Sequence, residues 1–583
     1  MFRSESKSDI VVTMPLPDLY RHFQDTQIET TFSDNSTKHY EIGTPFSTIM
    51  KDAPFYKDDL DIVALKVNGA VLDMNDRVRT NIHTIEPVLL NTTIGGQIYR
   101  RSLSFALCLA VSKLFPQTNL LKSYSLGNSY VYEVTGTVKT LSDQDVTNLD
   151  KLMRNLVAMQ KDIVRREVTF QEAVSYFTQQ EMFQTVAMLT QRNSQTVALA
   201  TCEGYCDMWH DIHLPNTKFL RTFELRKYGD SRLVLSFPVS SDHSTLPPFE
   251  DIPNLADTYN RGKEWGRMLG ITCVGEVNRL IRRGAPHGEL SQFVLICEAY
   301  HDRRTVEIAT EVINRPNCRL ILIAGPSSSG KTTFAHKLSV QMRVLGKDPA
   351  IVSLDNFYVN REDCPKDENG DYDFECAEAL DLPYLNDVLA ALVKGKEVLM
   401  PVFDFVTGTR KHGSNLRLKD NGLLIVEGIH ALNDRLTTMI ERDQKYKIFI
   451  SALPTISLDN HNRIPSTDSR LIRRIVRDYQ FRGYTAEETL SRWPSVRNGE
   501  EKLIFPFQVT ADTVYNSALD YELCALKIIA DPLLHQVNPT SPFYAEAYRI
   551  CHLLSYFSTV PHKYIPPSSI IREFIGDSIF VED

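Results

Sequence analysis

The chain has 583 residues, 43% of them hydrophobic and 23% charged, with a formal net charge of −9. That length exceeds a single hydrophobic core and predicts several domains, and the acidic balance argues against binding nucleic acid over the whole surface. No apolar run approaches the roughly 20 residues that span a bilayer, and the opening MFRSESKSD has no apolar signal core. Ten cysteines without a C-x-x-C pair read as scattered thiols. The expectation is a cytoplasmic protein without membrane contact.

Residues 1–95 read as a small β-rich module. Ile28 to Phe32 alternate, Ser33 to Ser36 turn, and Lys38 to Ile42 can return as a strand. Val63–Val67 and Ala70–Leu72 flank Asn68-Gly69, a two-residue hairpin signal. This module resembles the TGS domain, the β-grasp unit at the front of threonyl-tRNA synthetases and some translation GTPases. Residues 96–235 continue the resemblance into an α+β second additional domain, carried by Arg101–Phe105, Ala106–Leu114 and Asp207–Thr217. The synthetases place H-x-x-x-H and C-x-x-x-H there as a metal or editing site. Here those positions hold Arg101, Phe105 and Trp209, and only His213 matches. One histidine cannot hold zinc, so a binding or scaffolding domain is expected, with His213 an ordinary hydrogen-bonded residue. Cys202 and Cys206, four apart, lack a second ligand pair.

Residues 236–314 contain Pro247-Pro248 and two helical stretches, around Leu255–Leu269 and Leu290–Ile313, and read as a helical connector. A phosphate-binding domain follows at 315–536. The extension 537–583 carries no usable motif, and neither low-complexity tracts nor internal repeats stand out.

The most informative string is GPSSSGKTT at Gly325–Thr333, between the apolar run Leu320–Ala324 and a helix-like stretch. It fits G-x-x-x-x-G-K-[ST] in the required strand–loop–helix context, where backbone amides surround phosphate oxygens at a helix N-terminus. Gly325 and Gly330 allow close approach, with Ser327, Ser328, Ser329 and Thr333 completing the loop. Lys331 supplies charge for the β/γ-phosphates and Thr332 a hydroxyl for Mg²⁺. A second buried strand, Ala350–Leu354, ends at Asp355, which is placed either to deprotonate a substrate hydroxyl or to cap a helix. A third, Leu423–Val426, ends at Glu427, a carboxylate suited to Mg²⁺. From Thr467 to Gly483, Arg470, Arg473, Arg474 and Arg477 recur at helical spacing, as a lid over a transferring phosphoryl group or as a solvated basic face.

From about 319 to 536 the chain resembles the uridine kinase and phosphoribulokinase family. The carriers are GPSSSGKTT, SLDNFY at 353–358, YDFE at 372–375, PVFDFVTGTR at 401–410, VEGIH at 426–430 and the Arg-rich segment. The resemblance implies an α/β P-loop kinase domain with a mostly parallel sheet, using ATP and Mg²⁺. It makes Asp355 the base, Asp373 the ribose ligand, Tyr358 and Phe403 substrate contacts, and Arg474 and Arg477 contacts to substrate or phosphate. Oligomeric assembly is implied by the same resemblance. The family's pyrimidine kinases carry a Tyr and a His where this chain has Phe403 and Gly408, and a later Arg where it has Tyr484. The resemblance still makes phosphorylation of a nucleoside 5′-hydroxyl the expectation, with two rivals. One is a kinase of a sugar-like or pantothenate-like alcohol. The other is a nucleotide-gated regulator contacting tRNA or the ribosome. Asp367, Asn369 and Asp371 imitate the start of an EF-hand loop, but Tyr372 stands at the glycine position, so a polar loop is expected.

Overall fold

The structure is a computed structural model describing residues 27–57, 60–284, 288–366, 370, 372–404 and 407–580. The EF-hand-like positions Asp367, Asn369 and Asp371 lie outside the described residues. No described helix is long and apolar enough to cross a membrane.

At the front, Gln27–Thr31 pairs antiparallel with Thr37–Glu41, and Ile62–Val67 pairs with both Ala70–Leu72 and Ile85–Leu89. Asn68 (φ 47°) and Gly69 (φ 84°) form the tight turn, as Asn-Gly chemistry favours. A Cβ on Gly69 would meet the Pro539 carbonyl oxygen at 2.4 Å, so this turn also abuts the C-terminal extension. Ile28, Phe32, Phe46, Ile49 and Val67 close a small core.

The next unit is α+β. One sheet orders Glu224–Lys227, Arg232–Ser236, Ser129–Gly136 and Thr118–Leu126; a second orders Tyr205–Met208, Thr196–Cys202 and Val164–Thr169. The long helix Thr93–Leu114 is buried along most of its length, between Gly95 and Val111.

The phosphate-binding domain is built on a five-stranded parallel sheet: β1 (Leu320–Ala324), β2 (Asp348–Ser353), β3 (Gly422–Glu427), β4 (Lys445–Ser451) and β5 (Thr513–Asn516), in the spatial order β2-β3-β1-β4-β5. β1, β3 and β4 are buried at every residue, the pattern of a sheet covered on both faces. Helix α1 (Lys331–Val344) follows the phosphate loop, α2 (Ser466–Arg482) carries the arginines, and α3 (Ala486–Leu503) packs beside it. The antiparallel hairpin Val398–Asp404 and Thr409–Leu416 projects beside this sheet.

Three helices precede the domain: Pro253–Leu269, Glu289–Ile313 and, between them, Val274–Gly284, which the sequence reading did not identify. The middle one buries Val274, Val277 and Ile281 at helical spacing. One continuous core joins residues from these helices, the central strands and the extension, including Val277, Phe293, Ile321, Ile448, Ile550, Ile570 and Phe574. The segments 236–314, 315–536 and 537–583 thus bury apolar surface together, so the extension, though free of motifs, is part of the phosphate-binding unit.

Candidate active site

The phosphate loop leaves β1 at the C-terminal edge of the sheet, where α/β folds hold their ligands. Gly325 has no room for a side chain, because a Cβ would lie 2.0 Å from the Ile450 carbonyl oxygen. Lys331 Nζ donates to the Gly325 and Pro326 carbonyls at 3.1 and 3.3 Å. Among the described residues, the buried hydroxyls of Ser328, Ser329 and Thr333 have no partner, consistent with a cradle built for a ligand's oxygens. The hydroxyl of Thr332 and the carboxylate of Glu427 are hard oxygen donors of the kind Mg²⁺ takes. The residues present fit a bound metal–nucleotide.

Asp355 and Glu427 stand at the ends of β2 and β3, which pair directly at Ser353 and Glu427. Asp355 is open to solvent within the cleft. The surrounding protein still raises its carboxyl above the ordinary range, against the pull of Lys331, Arg482 and Arg477. Its backbone amide donates to Ser353 Oγ at 3.3 Å, so Ser353 rather than Asp355 caps the short turn Leu354–Phe357. Glu427 is buried, and burial pushes it up to about 7, with Asp355 adding to the push and Lys331 opposing it.

The five arginines of α2 divide into two that are sealed inside the protein and three gathered around Asp478. Arg470 and Arg473 are fully buried under the phosphate loop, donating to the Ser327 and Ser328 carbonyls at 3.2 and 3.3 Å and pairing with Glu500 and Glu522. Each guanidinium meets an internal carboxylate, so these two brace the loop and do not belong to an open lid. Arg474 donates to Ser327 Oγ at 2.8 Å, and both Arg474 and Arg477 pair with Asp478. Arg482 pairs with Asp478 as well, and burial lowers it to about 10.

On the acceptor side, the half-buried Asp373 accepts the Glu375 amide at 3.1 Å, forming a local turn. Glu375 itself is pushed up to about 7 by burial, with Arg474, Glu500 and Lys331 acting on it. Its proximity to Arg474 and Lys331 makes it a site residue that the sequence reading quoted within YDFE and gave no role. The signal was a second acid two positions after Asp373. Tyr358 donates to the Phe374 carbonyl at 3.2 Å, and its ring lies 5.6 Å from that of Phe403, which is buried. Gly408 has φ 69° and packs against Arg361, whose side chain would lie 2.8 Å from any added Cβ. Tyr484 lies under the Arg492 guanidinium.

In the front unit, Arg101, Phe105, Trp209 and His213, the positions that the synthetase resemblance singled out, meet around Asp211 with their side chains packed together. Arg101 pairs with Asp211 at 2.7 Å, and the Phe105 and Trp209 rings pack on His213 at 5.6 and 4.8 Å. His213 is buried, lowered to about 3 by burial first and Arg101 next, and hydrogen-bonds the Asp211 carbonyl. Beside it, the loop that leads toward α2 is seated in this unit. Asp459 contacts His210, Asn460 Oδ1 accepts from Thr185, and His461 contacts Asp207 at 2.8 Å.

A parallel sheet with a phosphate loop after its central strand defines a P-loop nucleotide-binding fold. Residues 320–522 match the Phosphoribulokinase / Uridine kinase family, so the C-terminal half carries a domain of that family. The threonine–tRNA ligase of Nautilia profundicola is 27% identical over 174 residues, 30% of this chain and 28% of that one. The uridine kinase of Saccharomyces cerevisiae is 29% identical over 205 residues, 34% and 37% of the two chains. A uridine kinase of Ureaplasma parvum is 27% identical over 176 residues, covering 30% of this chain and 76% of that one. The chain thus spans only 28% and 37% of the length of the first two relatives. Among solved structures, a putative fructose transport system kinase from Silicibacter is 18% identical with a TM-score of 0.27, covering 36% of this chain and 98% of that one. A possible uridine kinase from Bacillus stearothermophilus gives 18% and 0.24, with coverage of 37% and 98%.

Proposed function

We propose that the protein is an ATP- and Mg²⁺-dependent phosphotransferase acting on a small-molecule hydroxyl, with the 5′-hydroxyl of a nucleoside as acceptor. The observation that carries this reading is the convergence of Lys331, Asp355 and Glu427 on one cleft at the end of the parallel sheet, each acting on the charge of another. In-line phosphoryl transfer needs little beyond such positioning and charge.

The loop amides and Lys331 hold the triphosphate. Thr332 and Glu427 would hold the metal, which when bound would neutralise charge on the phosphate oxygens. Asp355 orients the acceptor hydroxyl and takes its proton; its carboxyl, raised by the crowded cleft, is better suited to that than an ordinary aspartate. Arg474 and Arg477 balance charge on the transferring group. Asp373 and Glu375 take the acceptor's vicinal hydroxyls, Tyr358 and Phe403 its flat face. Both front units serve as a scaffold in this reading.

The second reading, a non-nucleoside alcohol as acceptor, draws on the base-side wall. Phe403 offers no hydroxyl, and Gly408 is a tight turn against Arg361 with no side chain to donate. ADP release across a panel of nucleosides, pantothenate and sugar phosphates, with Asp355→Asn and Lys331→Ala as controls, tests both. Turnover of a nucleoside that Asp355→Asn abolishes supports the first reading; turnover only of another alcohol supports the second. Tight ATP binding with no turnover across the panel would favour a nucleotide-gated regulator.

A further inference from the structure

The extension places a carboxylate on the phosphate loop's own helix. Glu573 Oε2 accepts the backbone amide of Thr333 at 3.0 Å, across 240 positions of sequence. Thr333 lies in the first turn of α1, whose N–H groups have no partner within the helix and form its anion-binding end. The amide a phosphate oxygen needs is therefore already bonded to an internal anion. The contact is not a loose tail touching a surface. Ile570 packs on Gly330, where any added Cβ would lie 2.8 Å from it. Ser568 accepts from Lys337 Nζ at 3.3 Å, and Ser569 Oγ lies 3.3 Å from the Tyr521 hydroxyl. Ile570, Ile571 and Phe574 are buried.

These contacts separate two possible movements. Lifting the segment as a whole would expose three large apolar side chains together. Rotating the Glu573 side chain alone, which is only half-buried, exposes none of them. The backbone of 568–575 is thus a fixed platform, and the carboxylate is its one movable part at the loop.

We propose that Glu573 is an autoinhibitory internal anion. It occupies the phosphate-binding end of α1 in the ligand-free chain and swings away when a triphosphate takes its place. The inference rests on the reading of this loop as a nucleotide site. It makes the C-terminal extension a setter of triphosphate affinity. Like charge supplies the reason for the swing, because a carboxylate and a phosphate oxygen cannot share one amide. Glu427 faces the same cleft and feels the same negative charge.

The test uses the full-length protein and titration calorimetry with Mg·ATP and, separately, with inorganic tripolyphosphate. Glu573→Gln removes the charge and Glu573→Asp withdraws the carboxylate by one methylene, while the apolar platform stays in place. Both variants are expected to bind either ligand about tenfold more tightly than wild type, the size of one lost charge-assisted hydrogen bond, and Lys331→Ala to bind neither. Binding by the variants alone, with a silent wild type, would support the gate most strongly. Unchanged or weaker affinity in both variants, with wild type binding and Lys331→Ala not, overturns the gate and leaves the nucleotide reading standing. If wild type and both variants bind neither ligand, the nucleotide reading fails and the gate with it.

Discussion

Arg470 and Glu500 form an ion pair with almost no solvent contact, at 1% and 0% side-chain exposure, and the same carboxylate accepts the Ser327 amide at 3.1 Å. Two helices and the phosphate loop are therefore tied at a single carboxylate. Glu500→Ala would leave Arg470 as a buried, uncompensated charge, at a cost of about 3–5 kcal/mol. A thermal scan is expected to show the melting temperature falling by roughly 10 °C. A shift within about 2 °C would show that the pair does not hold the loop.

Replacement of Asp355 separates chemistry from binding. Asp355→Asn keeps the shape and removes the base, so kcat is expected to fall by about 10²- to 10⁴-fold. The ATP dissociation constant should stay within about twofold, because Lys331 and the loop amides remain. Steady-state ADP release paired with equilibrium binding reads both quantities. A matching loss of ATP affinity would place Asp355 in nucleotide binding instead.

Glu427 gives a pH prediction with a defined sign. Burial raises its folded-state value to about 7 from an ordinary 4.5. The folded chain therefore holds a proton that the unfolded chain has lost, and this group's stabilisation, full below about pH 4.5, declines as pH rises to about 7. Metal loading requires the carboxylate, so Mg·ATP binding should release up to about one proton at pH 6.5. Calorimetry in buffers of differing ionisation heat measures that release, and Glu427→Gln should abolish it.

His461 has the opposite partner. Burial alone would lower its pKa, yet the Asp207 carboxylate at 2.8 Å helps hold it well above 6.5. Its stabilisation is full below about pH 6.5 and is lost as pH rises through the higher folded-state value. Asp207→Asn should therefore destabilise the protein strongly at pH 6 and much less at high pH. Melting curves of the two proteins that stay parallel across that range would contradict the assignment.

The parallel sheet and its loop were legible because their signals are local. The runs Leu320–Ala324 and Leu423–Val426 are apolar throughout, and glycine and lysine spacing is specific. The Asn68-Gly69 turn was equally local. The carboxylates that meet the loop were not legible, because Glu500 and Glu573 come from 173 and 240 positions away and carry no pattern of their own. Spacing placed Arg470 and Arg473 on one helical face, but it could not show that this face would be sealed by Glu500 and Glu522. The helix Val274–Gly284 was passed over because its three buried apolar residues are interrupted by Asn278 and charged neighbours.

The loop Asp459–His461 has a consequence for how the chain can be divided. Asp459 and His461 are buried, Asp459 against His210 and His461 against Asp207, while Asn460 between them accepts from Thr185. A fragment beginning at the connector would open this seam, stripping both side chains of these partners next to the segment that leads into α2. Shortening the gene to its kinase portion would therefore yield a different molecule from the C-terminal half described above. A substitution on one side of the seam calls for a matching change on the other.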